Sequence, residues 1–183
     1  MEKNIKIMKD LAIIILNYNS FDDTYREINS LIRENIPTSS IYVMDNDSKD
    51  KEKIKIFGTE KNINTILSDH NGGYAFGNNI AVKKAIKDGK KYFLLLNPDI
   101  EISLNTIERL YVDLQKLTNV GIIGPRICYR NDCNKIFSDG GLLFPEKGFM
   151  GAHSNGEENK ENRRIQNHNF DIDYVDGSAL MFR

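Results

Sequence analysis

The feature that most constrains the fold is an uninterrupted apolar run, LAIIIL, at residues 11–16. The run is rich in β-branched residues, and apolar and polar positions do not alternate along it. A strand with this pattern is buried on both faces, which is typical of a parallel sheet. The run is far shorter than the roughly 20 apolar residues that cross a membrane, so it predicts a core strand and no membrane span.

Strand and helix patterns alternate along the first part of the chain. Further apolar runs predict strands at residues 41–44, 63–67, 92–96 and 120–124. Between them, apolar side chains at helical spacing predict helices at residues 25–32, 49–57, 74–87 and 103–117. This alternation predicts an α/β fold, a Rossmann-like and mostly parallel sheet flanked by helices.

The pattern changes after Pro125, where strand patterns shorten, glycines cluster and helical spacing is lost. We therefore expect a short β-rich C-terminal part. The prediction is a single domain over residues 1–183, with a lead-in at 1–10, a first half at 11–127 and a second half at 128–183. Residues 153–169 are almost wholly polar, which predicts a flexible loop because little apolar surface is available to offset its ordering entropy.

The charge balance and the cysteines exclude several classes of protein. Lys and Arg number 25 and Asp and Glu number 26, a net charge of -1, so the general basic surface of a nucleic-acid-binding protein is absent. Cys128 and Cys133 form no disulfide framework and lack a second pair for zinc. A reducing, cytoplasmic setting fits this composition.

A polar cluster follows each of the first four predicted strands. The clusters are NYN at residues 17–19, DND at 45–47, DHNGG at 69–73 and NPD at 97–99. Since the carboxyl ends of parallel strands share one edge of the sheet, the clusters predict a binding crevice there. Carboxylates and amides suit ring edges, ribose hydroxyls and a hard divalent cation.

Two common nucleotide-binding motifs are absent from these clusters. The turn after the first strand contains no glycine, which excludes the Rossmann fingerprint. Gly72 and Gly77 have the separation of a P-loop, but Asn78 and Asn79 stand where that motif has Lys and Ser or Thr. Without the lysine, a metal ion held by Asp99 is the natural group to meet phosphate charge.

Four segments together resemble glycosyltransferase family 2, and most closely its rhamnosyltransferase-like bacterial branch, which has the GT-A fold. They are IIILNYN at residues 13–19, VMDNDSKD at 43–50, NGGYAFGNN at 71–79 and LLNPD at 95–99. The terminal DYVDGSALMFR at residues 173–183 resembles a later strand of that branch, beside the acceptor. The resemblance implies that residues 11–127 bind a nucleotide sugar and that residues 128–183 begin the acceptor side.

The resemblance assigns donor-binding roles to residues at the strand ends. Asp45 would accept a hydrogen bond from the base, a pyrimidine N–H. Asn17, Tyr18 and Asn19 would border the base and the ribose. Asn71 and Gly73 would let the backbone approach the nucleotide. Gly77, Asn78 and Asn79 would line the start of the next helix, near the sugar donor.

The segment Asn97-Pro98-Asp99 stands where the family has its D-x-D motif. Asp99 would hold Mg²⁺ or Mn²⁺ against the diphosphate of the donor. Asn97 replaces the first Asp of many members, which weakens the metal affinity that the family pattern implies.

The resemblance also implies the reaction and its partners. It is inverting transfer of a sugar, from dTDP-rhamnose or a UDP-sugar, to a cell-surface polysaccharide acceptor, by a cytoplasmic protein that can associate with the inner face of the membrane. Gly177, Ser178 and Ala179 would lie on the acceptor side. The family carries its catalytic base in a segment that we expect beyond Arg183, with Asp176 as a surrogate, so the chain is expected to be the donor-binding half of a longer enzyme.

Two alternatives remain open on the sequence. A catalytically incomplete nucleotide-sugar-binding module has the same strand-end clusters. A nucleotidyltransferase also combines carboxylates, Mg²⁺ and a nucleotide, but it normally has a glycine-rich basic loop after the first strand, where this chain has NYNS at residues 17–20. The apolar surface that a missing segment would leave exposed would favour self-association.

Overall fold

The structure is a computed structural model that describes residues 9–148, 150–152, 156 and 172–183. The chain divides into two compact units. The first runs to Ile122 and includes Gly177–Arg183, and the second is Ile123–Asp176. Almost all of the loop predicted at residues 153–169, and most of the lead-in predicted at residues 1–10, lie outside the described residues.

The first unit alternates strands and helices as the sequence predicts. In chain order its elements are β1 (Leu11–Asn17), α1 (Phe21–Arg33), β2 (Ile41–Asp45), α2 (Lys51–Lys61), β3 (Asn64–Leu67), α3 (Tyr74–Lys87), β4 (Tyr92–Leu96), α4 (Leu104–Lys116) and β10 (Ala179–Phe182). The short strand β5 (Ile122–Ile123) stands at the boundary between the two units in the sequence. Ser103 caps the N-terminus of α4, because its hydroxyl accepts a hydrogen bond from the backbone N–H of Thr106 at 3.2 Å. The strand predicted at residues 120–124 is shorter than expected, because it is an edge strand bounded by Gly121 and Gly124.

The strands form one six-stranded sheet in the order β3-β2-β1-β4-β10-β5. β1 pairs in parallel with β2 and β4, and β2 pairs in parallel with β3. β10 runs antiparallel to β4. The predicted mostly parallel sheet is therefore confirmed, and the carboxyl ends of β1, β2, β3 and β4 share one edge.

The centre of the sheet is buried on both faces, as the apolar run of β1 predicts. The five residues from Leu11 to Ile15 have no exposed surface. On one face, Ile14 packs with Met44 of β2, Leu95 of β4 and the alanines Ala81 and Ala85 of α3. The small alanine side chains let α3 pack close to the sheet. Because α3 begins after the turn that follows β3, its first turn lies at the carboxyl edge of the strands.

The second unit consists of short antiparallel strands, in agreement with the predicted β-rich C-terminal part. Its strands are β6 (Ile127–Tyr129), β7 (Asp132–Ser138), β8 (Leu142–Phe144) and β9 (Met150–Ala152), paired as two hairpins. Within this unit, the guanidinium of Arg126 lies 3.5 Å from the carboxylate of the buried Asp139. Over the described part of the whole chain, no helix is both long and apolar enough to cross a membrane.

Candidate active site

A cleft of about 410 Å³ opens at the carboxyl edge of the sheet, within the first unit. Its wall is built from the turns that follow β1, β2, β3 and β4, which is the position predicted from the polar clusters. The lining residues are Leu16, Tyr18, Ser20, Asp23, Asn46, Asn71, Gly73, Tyr74, Asn97, Pro98 and Asp99. None of these eleven residues is Lys or Arg, so an anionic ligand in this cleft meets no cationic side chain from its lining.

The turn after β1 contributes Tyr18, whose side chain is 50% exposed. Its neighbour Asn19 has a positive φ of 52°, a conformation that asparagine tolerates better than most residues. The backbone N–H of Asn19 donates to the hydroxyl of Ser48 at 2.9 Å, and the Asn19 side-chain oxygen accepts from the backbone N–H of Lys49 at 3.0 Å. Asn19 therefore joins the first turn to the second and does not line the cleft.

Asp45 and Asn17 lie beneath the cleft and have no exposed surface. One Asp45 oxygen accepts from the side-chain amide of Asn17 at 2.7 Å, and the other accepts from the backbone N–H of Ser48 at 2.9 Å. Both oxygens are thus engaged inside the protein. The carboxylate of Asp45 therefore lies in the interior and not on the wall of the cleft. Direct contact with a base would require it on the wall.

The next residue, Asn46, lines the cleft and is 2% exposed. Its Nδ2 donates to the side-chain oxygen of Asn71 at 2.6 Å and to the backbone carbonyl of Gly73 at 3.2 Å. The bond to a carbonyl fixes which end of the amide is the donor, because a carbonyl only accepts. The Asn46 Oδ1 is left as a buried acceptor with no hydrogen-bond partner in the described structure.

The glycine-rich turn before α3 contributes Asn71 and Gly73 to the lining of the cleft. Gly73 precedes the helix with φ 87° and ψ 177°, a backbone conformation that is essentially restricted to glycine. The side-chain oxygen of Asn71 accepts from the Gly73 N–H at 2.9 Å. Gly77 and Asn78 lie in the first turns of α3 and are buried behind the lining, where a Cβ on Gly77 would run into Leu16.

We predict that Gly73→Ala lowers the free energy of unfolding by about 1–3 kcal/mol, because alanine is strained at this φ and ψ. Gly121→Ala is the matched control, since a Cβ at Gly121 meets nothing within 4 Å and Gly121 does not have a positive φ. Chemical denaturation of the two variants measures the difference. Equal stabilities would show that the turn relaxes to accept a side chain.

The turn after β4 supplies Asn97, Pro98 and the exposed Asp99 to the cleft. The backbone N–H of Asn97 donates to the carbonyl of Ser178 at 2.8 Å. The phenol of Tyr74 donates to the carbonyl of Gly177 at 2.5 Å. The turn before β10 is therefore tied to the cleft wall, whereas Ala179 is a buried residue of β10 and Asp176 belongs to the second unit.

The cleft brings together five of the residues that the sequence predicted: Tyr18, Asn71, Gly73, Asn97 and Asp99. The sequence prediction missed the other lining residues, which are Leu16, Ser20, Asp23, Asn46, Tyr74 and Pro98. Asn46 was within reach of the sequence argument, since it belongs to the DND cluster. The sequence prediction gave the contact with the base to Asp45, whereas Asn46 is the member of this cluster that lines the cleft.

The lining fits a divalent cation that arrives with a diphosphate. No group of three or more His, Cys, Asp or Glu side chains that could hold a metal is found among the described residues. The cleft nevertheless offers the Asp99 carboxylate and the Asn97 amide oxygen on one turn. Mg²⁺ is commonly held by one or two carboxylates together with substrate phosphates and water, and this donor set matches that pattern.

Acidic side chains surround the turn after β2. The ammonium of Lys51 donates to the carboxylate of Asp47 at 3.1 Å, and this hydrogen bond, helped by the negative charges of Asp69 and Asp45, raises the pKa of Lys51. Lys51 is thus paired with Asp47, and neither residue lines the cleft.

Comparison with known proteins gives the fold and the family. The sequence profile of Glycosyl transferase family 2 matches residues 12–182. The low-salt glycan biosynthesis hexosyltransferase Agl10 of Haloferax volcanii is 30% identical over 178 residues, which are 96% of this chain and 53% of that protein. The chain therefore spans about half the length of this curated relative.

Solved glycosyltransferase structures share the fold at low sequence identity. GalNAc-T7 with UDP, GalNAc and Mn²⁺ matches 93% of this chain and 34% of its own, with a TM-score of 0.63 and 14% identity. TarS 1–349 of S. aureus in complex with UDP-GlcNAc matches 74% of this chain and 40% of its own, with a TM-score of 0.52 and 19% identity. These likenesses confirm the predicted GT-A fold. The match of the family profile over residues 12–182 shows that the chain belongs to glycosyl transferase family 2.

Proposed function

We propose that this chain carries the donor-binding site of a glycosyltransferase that uses a nucleotide-diphosphate sugar. The single observation that supports this most is the cleft at the carboxyl edge of the sheet, where Tyr18, Gly73 and Asp99 come from three separate turns. The ring of Tyr18 suits a base, and the backbone at Gly73 and the carboxylate of Asp99 suit a diphosphate with its cation. Family membership supplies the reaction class.

The nucleoside end of the donor would lie against the turns after β1 and β2. Tyr18 offers an exposed ring for stacking. Asn46 Oδ1 is buried and has no hydrogen-bond partner in the described structure, and it would accept a hydrogen bond from the base once the Asn46 side chain turns towards the cleft. A pyrimidine with an N3–H, as in uridine and thymidine, supplies such a donor. This supports UDP or dTDP over a cytidine nucleotide, whose N3 only accepts.

The diphosphate would lie near Asp99 and the glycine-rich turn. Because the lining has no cationic side chain, we propose that Asn97 and Asp99 hold Mg²⁺ or Mn²⁺ together with the phosphates. When bound, such a cation neutralises diphosphate charge and makes the nucleoside diphosphate a better leaving group. Two proteins of similar fold have structures that contain this cation: GalNAc-T7 with UDP, GalNAc and Mn²⁺, and PcManGT from Pyrobaculum calidifontis with GDP-Man and Mn²⁺.

The transferred sugar is proposed to be a hexose, in keeping with the hexosyltransferase name of the relative, and the deoxyhexose rhamnose is the alternative from the sequence resemblance. We propose that transfer inverts the anomeric carbon and that the acceptor is a glycan under construction. The turn at Gly177 and Ser178, tied to the cleft by Tyr74 and Asn97, would face the acceptor. A donor-binding module without transfer activity is the alternative outcome.

Calorimetry with UDP, dTDP, GDP and CDP, each with Mn²⁺ and with EDTA, tests the proposal. We predict that UDP or dTDP binds about fivefold to thirtyfold more tightly than CDP, because only the former pair donates from N3, an interaction of about 1–2 kcal/mol. We also expect Mn²⁺ to strengthen binding. If none of the four nucleotides binds, the proposed function is wrong, and equal binding of CDP and UDP would remove the role of Asn46.

A further inference from the structure

Beneath the cleft lies a buried hydrogen-bonded cluster, the Asp45 cluster, formed by Asn17, Thr24, Asp45 and Ser48. Asn17, Thr24 and Asp45 have no exposed surface, and Ser48 is 4% exposed. The four residues come from β1, α1, β2 and the turn after β2. None of them lines the cleft.

Every polar atom of the Asn17 side chain is used within this cluster. Its Nδ2 donates to Asp45 at 2.7 Å and to the Ser48 hydroxyl at 2.9 Å. Its Oδ1 accepts from the Thr24 hydroxyl at 2.8 Å. Asp45 is likewise complete, since its second oxygen accepts from the Ser48 backbone N–H. A fully satisfied buried network of this kind holds one geometry, because any other arrangement leaves a buried group unpaired.

The cluster holds both turns that carry lining residues of the nucleoside end. Tyr18 lies between Asn17, which is in the cluster, and Asn19, whose N–H is bound by Ser48. Asn46 lies between Asp45 and Asp47, and Asp47 has a positive φ of 65°. The backbone N–H of Asn46 also donates to the carbonyl of Asn17 at 2.9 Å. Fixing Asn17, Asp45 and Ser48 therefore fixes where Tyr18 and Asn46 reach the cleft.

We propose that Asp45 is a positioning residue for the nucleotide: it sets nucleotide affinity through Asn17 and Ser48 without touching the ligand. This inference rests on the proposed function, since it concerns the same cleft. It differs from a binding role in a testable way. A binding role depends on a carboxylate at position 45, whereas a positioning role depends only on the hydrogen bonds being complete.

Exchanging the side chains of Asn17 and Asp45 distinguishes a positioning role of Asp45 from a binding role. In Asp45→Asn, the new amide presents N–H to either Asn17 or Ser48. A donor then faces a donor, unless the Asn17 amide turns over and gives up the hydrogen bond that its Oδ1 accepts from the Thr24 hydroxyl. In Asn17→Asp, two carboxylates face each other in the interior. In the double variant N17D/D45N, the Asn at 45 donates to the Asp at 17 and still accepts from the Ser48 N–H. The Asp at 17 accepts from the Thr24 and Ser48 hydroxyls, so every bond is restored with the total charge unchanged.

The first measurement is the dissociation constant for UDP with Mn²⁺. We expect each single variant to bind about tenfold to a hundredfold more weakly, as for a lost buried hydrogen bond to a charged group. The double variant should bind within about threefold of the unmodified chain, because the two sites are strongly coupled. Asp113→Asn, which removes a charge from the ion pair with Arg109 on α4, is the control and should bind normally.

The second measurement is amide hydrogen exchange without ligand, which remains informative if a single variant is poorly folded. The N–H groups of Asn19 and Ser48 should lose protection in Asp45→Asn and regain it in the double variant. A double variant that is restored in exchange but still binds UDP as weakly as Asp45→Asn would overturn the inference and return Asp45 to direct contact. Unchanged affinity in Asp45→Asn would overturn it as well. If the unmodified chain binds no nucleotide, the proposed function fails first and this inference fails with it.

Discussion

Ile14→Ala should lower the free energy of unfolding by about 2–5 kcal/mol, a large part of the roughly 5–15 kcal/mol that stabilises a typical domain. Ile14 has no exposed surface and lies between Tyr42 of β2 and Leu95 of β4 in the register of the sheet. Truncation leaves a cavity between two paired strands and α3. Because hydrogen-bonded neighbours on both sides hold β1 in place, the cavity cannot easily collapse.

Ile56→Ala is the matched control for Ile14→Ala. Ile56 lies on α2 and is 58% exposed, so the same change of side chain should alter stability by no more than about 0.5 kcal/mol. Urea denaturation followed by circular dichroism measures both variants. If the two variants lost the same amount, the sheet centred on β1 would not be the core of the first unit.

The alternation of strands and helices was predictable because the first unit repeats one simple pattern. Its strands are short apolar runs buried on both faces, and the α3 bounds Tyr74–Lys87 and the β4 bounds Tyr92–Leu96 agree with the sequence prediction. Local composition carries this information. The antiparallel insertion of β10 beside β4 was not predictable in the same way, because it joins residues about 80 positions apart.

The sequence located the cleft but not every side chain that faces it. Parallel strands place all their carboxyl ends at one edge, so the polar clusters marked the right region. Which member of a cluster faces the ligand depends on distant partners. The Asp45 side chain points into the interior because Asn17 and Ser48 donate hydrogen bonds to it, and the Asn46 side chain points towards Asn71 and Gly73, which line the cleft. No spacing rule within the DND segment contains those contacts.

Asp99→Asn should change the affinity for UDP in opposite directions with and without metal. Asp99 is exposed on the cleft wall, whose lining contributes no cationic side chain. With Mn²⁺ present, losing the carboxylate removes a ligand of the cation, and we expect affinity to fall about tenfold to a hundredfold, the range of one charge-assisted interaction of about 1.5–3 kcal/mol. In EDTA the carboxylate only repels the diphosphate, so the variant should bind as tightly as the unmodified chain or more tightly.

Glu101→Gln is the control for Asp99→Asn, because it removes the same charge two residues further along the chain, away from the lining of the cleft. Its affinity should follow that of the unmodified chain with Mn²⁺ and with EDTA. Titration calorimetry of the three proteins under both conditions provides the comparison. A loss of affinity in Asp99→Asn that is the same with Mn²⁺ and with EDTA would mean that Asp99 shapes the turn or contacts the nucleotide directly. A loss confined to Mn²⁺ would assign the cation to Asp99, since only a ligand of the metal couples the effect of one carboxylate to the presence of the ion.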